Sequence, residues 1–150
     1  MVMQKYYDDA FRDISTFGSS WFMGLITLVS IILGNYKFAI YIITGFILSY
    51  IITATIRLFY FKNRPKKEKY ESIFSKLDAA SFPSNHSIRA MYMAIITGSY
   101  FNSLILTIIL SIGALFVAYS RIYIKKHYYV DIVSGLIMGG ILAYLVMLFV

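Results

Sequence analysis

The chain has 150 residues, 59% of them hydrophobic, with a mean hydropathy of +0.71, far above the roughly 45–50% apolar content of soluble domains. That composition suggests a membrane protein, and the absence of cysteine excludes disulfides and thiolate metal sites. A net charge of +7 must sit mostly outside hydrocarbon, where it meets anionic headgroups, phosphate esters or nucleic acid; charge sign alone does not choose among them.

Residues 4–16 alternate charged and apolar positions at helical spacing, and Tyr6, Tyr7, Phe11 and Ile14 suit an amphipathic helix lying in the membrane interface. This segment lacks the basic start, apolar centre and small-residue cleavage site of a signal peptide, so it reads as part of the mature protein. Five apolar stretches follow that suit membrane spans: Phe17 to Leu33, Phe38 to Tyr60, Ile88 to Tyr100, Leu104 to Tyr119 and Tyr129 to Val150, the third being the shortest. Gly34 to Lys37 and Phe101 to Ser103 leave room only for tight turns. Between Phe61 and Asn85 lies one long polar stretch, holding Lys62, Arg64, Lys66, Lys67, Lys69 and Lys76 against Glu68, Glu71 and Asp78, with Pro65 and Pro83. It reads as an extramembrane loop with a short helix around Tyr70 to Leu77. No polar stretch surrounds a core of its own, so residues 1–150 read as one membrane-embedded domain. The expected fold class is all-α: an integral membrane helical bundle of about five transmembrane helices plus the N-terminal amphipathic helix. Counting spans places the 61–85 loop, the 120–128 link and the N-terminus on one membrane face, and the unusual polar residues with them.

Three polar clusters stand out at that face. Arg57 and Arg64 are seven residues apart, two helical turns, so both point to one face of the second span and its extension, with a helix end at Arg64 before Pro65. Two guanidiniums aligned there suit a phosphate group; snorkelling interfacial arginines explain the same pair. Ser81-Phe82-Pro83-Ser84-Asn85-His86-Ser87 is a turn-forming run that opens into the third span, with Ser84 or Asn85 as N-cap. A helix N-terminus offers free N–H groups to an anion, and His86 beside it is a proton donor or a bystander. In Ser120-Arg121 through His127 to Asp131, the histidine and aspartate are four apart, neighbours on one helical face. A carboxylate accepting Nδ1–H would leave Nε2 as a nucleophile, and a simple polar pair at a helix start is the plain alternative.

Taken together, these clusters resemble the three motifs of the type 2 phosphatidic acid phosphatase family: Lys-x6-Arg-Pro, Pro-Ser-Gly-His and Ser-Arg-x5-His-x3-Asp. That family includes undecaprenyl diphosphate phosphatases and is related to vanadium haloperoxidases. The first motif appears as Arg57 with Arg64-Pro65, the second as Pro83-Ser84-Asn85-His86, and the third complete from Ser120-Arg121 through His127 to Asp131. Arg57 replaces the usual lysine. Asn85 replaces the usual glycine, and asparagine tolerates a positive φ in such a turn. The resemblance implies a lipid phosphatase with His127 as nucleophile, Asp131 orienting it, and His86 as acid and then base. Arg57, Arg64, Ser84, Asn85 and Arg121 would bind the phosphate, and neither metal nor other cofactor is needed.

The partners so implied are a membrane lipid substrate and the bilayer, with no nucleic acid. A short loop suits a small headgroup, a terminal phosphate on a polyprenyl or diacylglycerol chain rather than a large sugar conjugate; the resemblance implies foremost a polyprenyl diphosphate of undecaprenyl or dolichyl type, with phosphatidic acid and phosphatidylglycerol phosphate as the alternatives. A nonenzymatic scaffold for anionic lipid would leave the His127 and Asp131 spacing unexplained. A transporter is disfavoured because the spans read as lacking ionisable residues to continue a path. The positive-inside rule puts the site face in the cytoplasm, whereas many members of the family act outside, and the outward orientation is the one expected here.

Overall fold

The computed structural model describes residues 2–66 and 70–150. Lys67, Glu68 and Lys69 of the expected loop lie outside the described residues. Among the described residues seven helices follow one another: α1 (Val2–Thr16), α2 (Ser20–Ile32), α3 (Tyr36–Phe59), α4 (Ile73–Ala79), α5 (Asn85–Tyr100), α6 (Leu104–Tyr123) and α7 (Tyr129–Phe149).

The helix boundaries follow from cap chemistry. Ser19, Ser72, Ser84 and Ser103 each accept a hydrogen bond from a backbone N–H of the first turn of α2, α4, α5 and α6, satisfying donors that the helix leaves unpaired. Three helices end by passing into a left-handed residue, at Gly34 (φ 74°), Asn102 (φ 49°) and Lys125 (φ 57°). In each the following N–H reaches back five residues: Asn35 to Ser30, Ser103 to Gly98 and Lys126 to Arg121. These reversals are the structural content of the tight turns.

Helices α3, α6 and α7 are long and apolar enough to cross a membrane, while α1 and α2 together pass as one span broken by a 48° bend. The expected Phe17 to Leu33 span is therefore shorter, 13 residues in α2, because Gly18 and the Ser19 cap interrupt it. The expected third span is also short, 16 residues in α5, yet α5 is the centre of the bundle, packed against α3, α6 and α7. Burial inside protein removes its need to match the bilayer. On α6 and α7 the outward residues are apolar, as with Ile105, Ile109 and Ile141; they form the lipid-facing surface of an integral membrane protein.

With lipid on the outside, apolar burial gives little drive for helix association, and close backbone approach takes over. A Cβ on Gly139 would lie 2.3 Å from the Ile88 carbonyl oxygen, and one on Gly135 2.7 Å from that of Ser84. Glycines four apart on α7 thus let α5 lie directly against it, with the Ser84 N–H donating to the Asp131 carbonyl (3.0 Å). This contact fixes the start of α5 against the start of α7, the two chain segments that carry the site histidines.

Candidate active site

Four local readings of the sequence differ from the structure in how the site is built. Helix α3 ends at Phe59 and Tyr60 is extended (φ −133°, ψ 92°), so Arg64 is not on a helical extension with Arg57. The chain instead runs extended, with Asn63 bridged to Ala80, and Arg64 reaches the same place from the loop. Likewise α7 begins at Tyr129, so His127 precedes the helix rather than sharing a helical face with Asp131. The 120–128 link is shorter than expected, because Ser120 and Arg121 still belong to α6. Asn85 is the first residue of α5 and has no positive φ; among the described residues only Asn102 and Lys125 do so without being glycine.

A cavity of about 510 Å³ opens at this end of the bundle. Of the expected site residues, Arg57, Arg64, Asn85, His86, Arg121 and His127 form its wall. Ser84 and Asp131 lie behind it, both fully buried. The Ser84 hydroxyl is engaged as the α5 cap, accepting from the Ser87 N–H (3.4 Å). The buried guanidiniums are held by oxygens: Arg57 donates to the carbonyls of Leu77 and Pro83 (both 2.9 Å). Arg64 donates to the Asp78 carbonyl, and Arg121 to the Ser15 hydroxyl (2.6 Å), which ties α1 to the site. Rigid guanidinium forks aimed into one concave space suit the oxygens of a phosphoryl group.

His127 is buried, and its Nδ1 lies 2.6 Å from the Ser81 carbonyl. That acceptor requires Nδ1 to carry the proton, which leaves the lone pair on Nε2. Asp131 does not supply this bond: its Oδ2 is 3.9 Å from Nδ1. Its carboxylate instead accepts from Lys62 Nζ (2.6 Å) and from the Tyr128 N–H (2.9 Å), so Asp131 fixes the backbone that presents His127. Burial, then the positive charges of Arg121 and Arg64, push the His127 pKa down to about 2. The ring is therefore neutral near pH 7, the form a nitrogen nucleophile needs.

Several wall residues escaped sequence reading. Ser20, Tyr50, Asp78 and Arg89 line the same cavity, and Lys62, read only as a loop charge, is the partner of Asp131. Arg89 was legible: it sits inside the apolar Ile88 to Tyr100 stretch, three residues after His86, and contradicts the reading that the spans lack ionisable residues. Ser20, Tyr50 and Lys62 carry no comparable signal, since their roles depend on which helices become neighbours. Among the described residues no three His, Asp or Glu side chains gather as a metal-ligand group.

The profile described as PAP2 superfamily matches residues 38–150, which includes all three motifs. The chain belongs to the PAP2 superfamily. Its fold is shared by the crystal structure of Aquifex aeolicus LpxE, with a TM-score of 0.79, 21% identity, and coverage of 96% of this chain and 87% of that one. It is shared also by the crystal structure of a transmembrane PAP2 type phosphatidylglycerolphosphate phosphatase from Bacillus subtilis, with a TM-score of 0.78, 22% identity, and coverage of 96% and 76%. No curated protein sequence matches the chain significantly. The N-terminal 37 residues fall outside the PAP2 match, yet α1 joins the site through Ser15 and α2 through Ser20.

Proposed function

We propose that residues 1–150 act as one metal-independent phosphatase domain that hydrolyses a lipid phosphate or diphosphate through a phosphohistidine, with a polyprenyl diphosphate as the favoured substrate. The observation that carries this reading is the cavity itself: a neutral, buried His127 facing the same space as Arg57, Arg64 and Arg121. Nε2 of His127 attacks the terminal phosphorus while the guanidiniums neutralise its equatorial oxygens. The bond to the leaving oxygen breaks with its electron pair on that oxygen, which as a phosphate oxygen needs no proton. Burial, then the charges of Arg121 and Arg89, push the His86 pKa down to about 3, so His86 is neutral and serves as the base of the second step rather than as the acid of the first. His86 then takes a proton from water, which attacks the phosphohistidine to release orthophosphate and regenerate neutral His127. Asp131 acts by holding the Tyr128 N–H and Lys62, and so the position of His127. Ser84 contributes through the α5 start it caps, and Asn85 through its backbone N–H and amide at the wall.

A cavity of about 510 Å³ suits a small headgroup and supports a terminal phosphate over a sugar conjugate. The fold shared with a phosphatidylglycerolphosphate phosphatase supports a glycerolipid phosphate as the second reading. Phosphate release from purified protein in EDTA tests both. Polyprenyl diphosphate, polyprenyl monophosphate, phosphatidic acid and phosphatidylglycerol phosphate are offered side by side to wild type and His127→Ala. The expected result is preference for the polyprenyl diphosphate, no turnover by the folded variant and no effect of EDTA; activity in His127→Ala removes the nucleophile. We further propose that the site faces away from the cytoplasm. Exposed Glu71, replaced by cysteine, should then react with an impermeant thiol reagent in intact cells, and protection there places the site in the cytoplasm.

A further inference from the structure

One buried cation in the cavity is unused by this chemistry. Arg89 lies on α5 three residues after His86, about 4.5 Å further along the helix axis and toward the bilayer interior. It is 3% exposed. Its Nη1 donates to the Ser20 hydroxyl (2.9 Å) and its Nε to the Ser49 hydroxyl (3.3 Å). Its guanidinium carbon lies 4.2 Å from the centre of the Tyr50 ring and 4.9 Å from that of Phe46. Neutral hydroxyls and ring faces orient this group without neutralising it. No carboxylate pairs with it, and its Nη2 has no hydrogen-bond partner, among the described residues. A guanidinium sunk among apolar helices without a counter-ion is costly to keep, and this one faces open space shared with His127.

We propose that Arg89, with Ser20 and Tyr50, is a second anion subsite that takes the inner phosphate of a lipid diphosphate whose terminal phosphate lies at His127. The proposal rests on the phosphatase reading above and names its substrate class. A lipid monophosphate would present Arg89 with the first carbons of its chain, whereas a diphosphate presents a charged group at that depth. During transfer the bond between the terminal phosphorus and the bridging oxygen breaks, and its electron pair stays on that oxygen. The added negative charge therefore falls on the phosphate that Arg89 faces, and the product leaving it is the lipid monophosphate. The terminal phosphoryl group passes through His127 to water and departs as orthophosphate.

The path of the chain follows from the same geometry. An apolar groove of about 340 Å³ runs between α2 and α3, lined by Gly24, Ile31, Ile43 and Phe46, and it begins at Ser20, the residue it shares with the polar cavity. Its occupant is the single hydrocarbon chain of the substrate, which leaves the inner phosphate beside Ser20 and Phe46 and continues along the lipid-facing side of α2.

The test compares kcat/KM for a diphosphate and a monophosphate on the same polyprenyl chain, in wild type and Arg89→Gln. The diphosphate-to-monophosphate ratio should fall by about 30-fold or more, as expected when one partner of a desolvated charge pair is lost. A binding readout independent of turnover accompanies it: pyrophosphate should protect wild type from thermal unfolding more than orthophosphate does, and Arg89→Gln should abolish that difference. If Arg89→Gln does not fold, Arg89→Lys, which keeps the charge and loses the fork, should lower the same ratio. An unchanged ratio with an unchanged pyrophosphate advantage overturns the subsite while leaving the phosphatase reading in place. Wild type inactive on both lipids overturns the phosphatase reading, and the pyrophosphate comparison then still decides the subsite.

Discussion

Lys62→Met is the substitution that most directly tests how His127 is held. Lys62 Nζ lies 2.6 Å from Asp131 Oδ1, with the lysine side chain 26% exposed and the aspartate fully buried. At that distance the bare attraction is about 6 kcal/mol in a medium of effective dielectric ~20, and most of it offsets the desolvation of the two ions. Removing one partner of a buried pair costs about 3–5 kcal/mol. The partial exposure of Lys62 and the surviving bond from the Tyr128 N–H place this case at about 2–3 kcal/mol. A double-mutant cycle with Asp131→Asn should return a coupling energy of about 1.5–2 kcal/mol, measured by SDS-titrated unfolding in detergent followed by circular dichroism. The change should also reach the site. With Lys62 gone, the nearest cation for the stranded carboxylate is a protonated His127 at 3.9 Å, so the acid limb of the pH–rate profile should move to higher pH. A coupling energy below about 0.5 kcal/mol, within the error of additivity, together with an unmoved acid limb, would refute the reasoning.

Two further outcomes follow from the fold. Gly139→Ala should destabilise the protein by about 1–3 kcal/mol, since its Cβ would meet the Ile88 carbonyl oxygen at 2.3 Å. Gly140→Ala, whose Cβ meets only Ile95 Cδ1 at 3.6 Å, should be neutral or slightly stabilising through helix propensity; equal effects of the two in the same unfolding assay would contradict backbone contact between α5 and α7. The His127 pKa, about 2 when folded against 6.5 unfolded, gives stability that is complete above pH 6.5 and is lost as pH falls toward 2, because the unfolded chain binds the extra proton. Between pH 7 and pH 5 that amounts to about 2 kcal/mol, so wild type should lose about that much more stability than His127→Asn over this interval, and parallel pH slopes would show that the imidazole is not held neutral.

The helices and the gathering of most motif residues at one cavity were legible because both are written locally. Apolar runs, serine caps and the reversals at Gly34 and Asn102 need only neighbours in sequence, and so the order of elements emerged with errors only in extent. The motif residues were legible because their spacing is kept even where their geometry is not. Arg57 and Arg64 meet although α3 stops at Phe59, and His127 and Asp131 cooperate although only the aspartate is helical. Spacing of seven or four residues suggested a shared helical face, and the chain satisfies the same convergence with an extended segment and a pre-helical turn.

What stayed hidden depends on contacts between distant segments. Asp131 is four residues from His127 and 69 from Lys62, and local spacing naturally assigned it to the histidine. The structure gives His127 Nδ1 to the Ser81 carbonyl instead, 46 residues away. A backbone carbonyl is an acceptor every residue possesses, so no residue type could announce it. Under the proposed reaction the arrangement has a chemical advantage: a neutral acceptor fixes the tautomer without a second negative charge beside an incoming phosphate, while the carboxylate one step back holds the turn. Arg89 is the opposite case, a signal present in the sequence and passed over. A charged residue inside an apolar stretch calls for polar partners at bilayer depth, and its neighbours Ser20, Ser49 and Tyr50 come from α2 and α3, so the sequence could flag the cation but not what surrounds it.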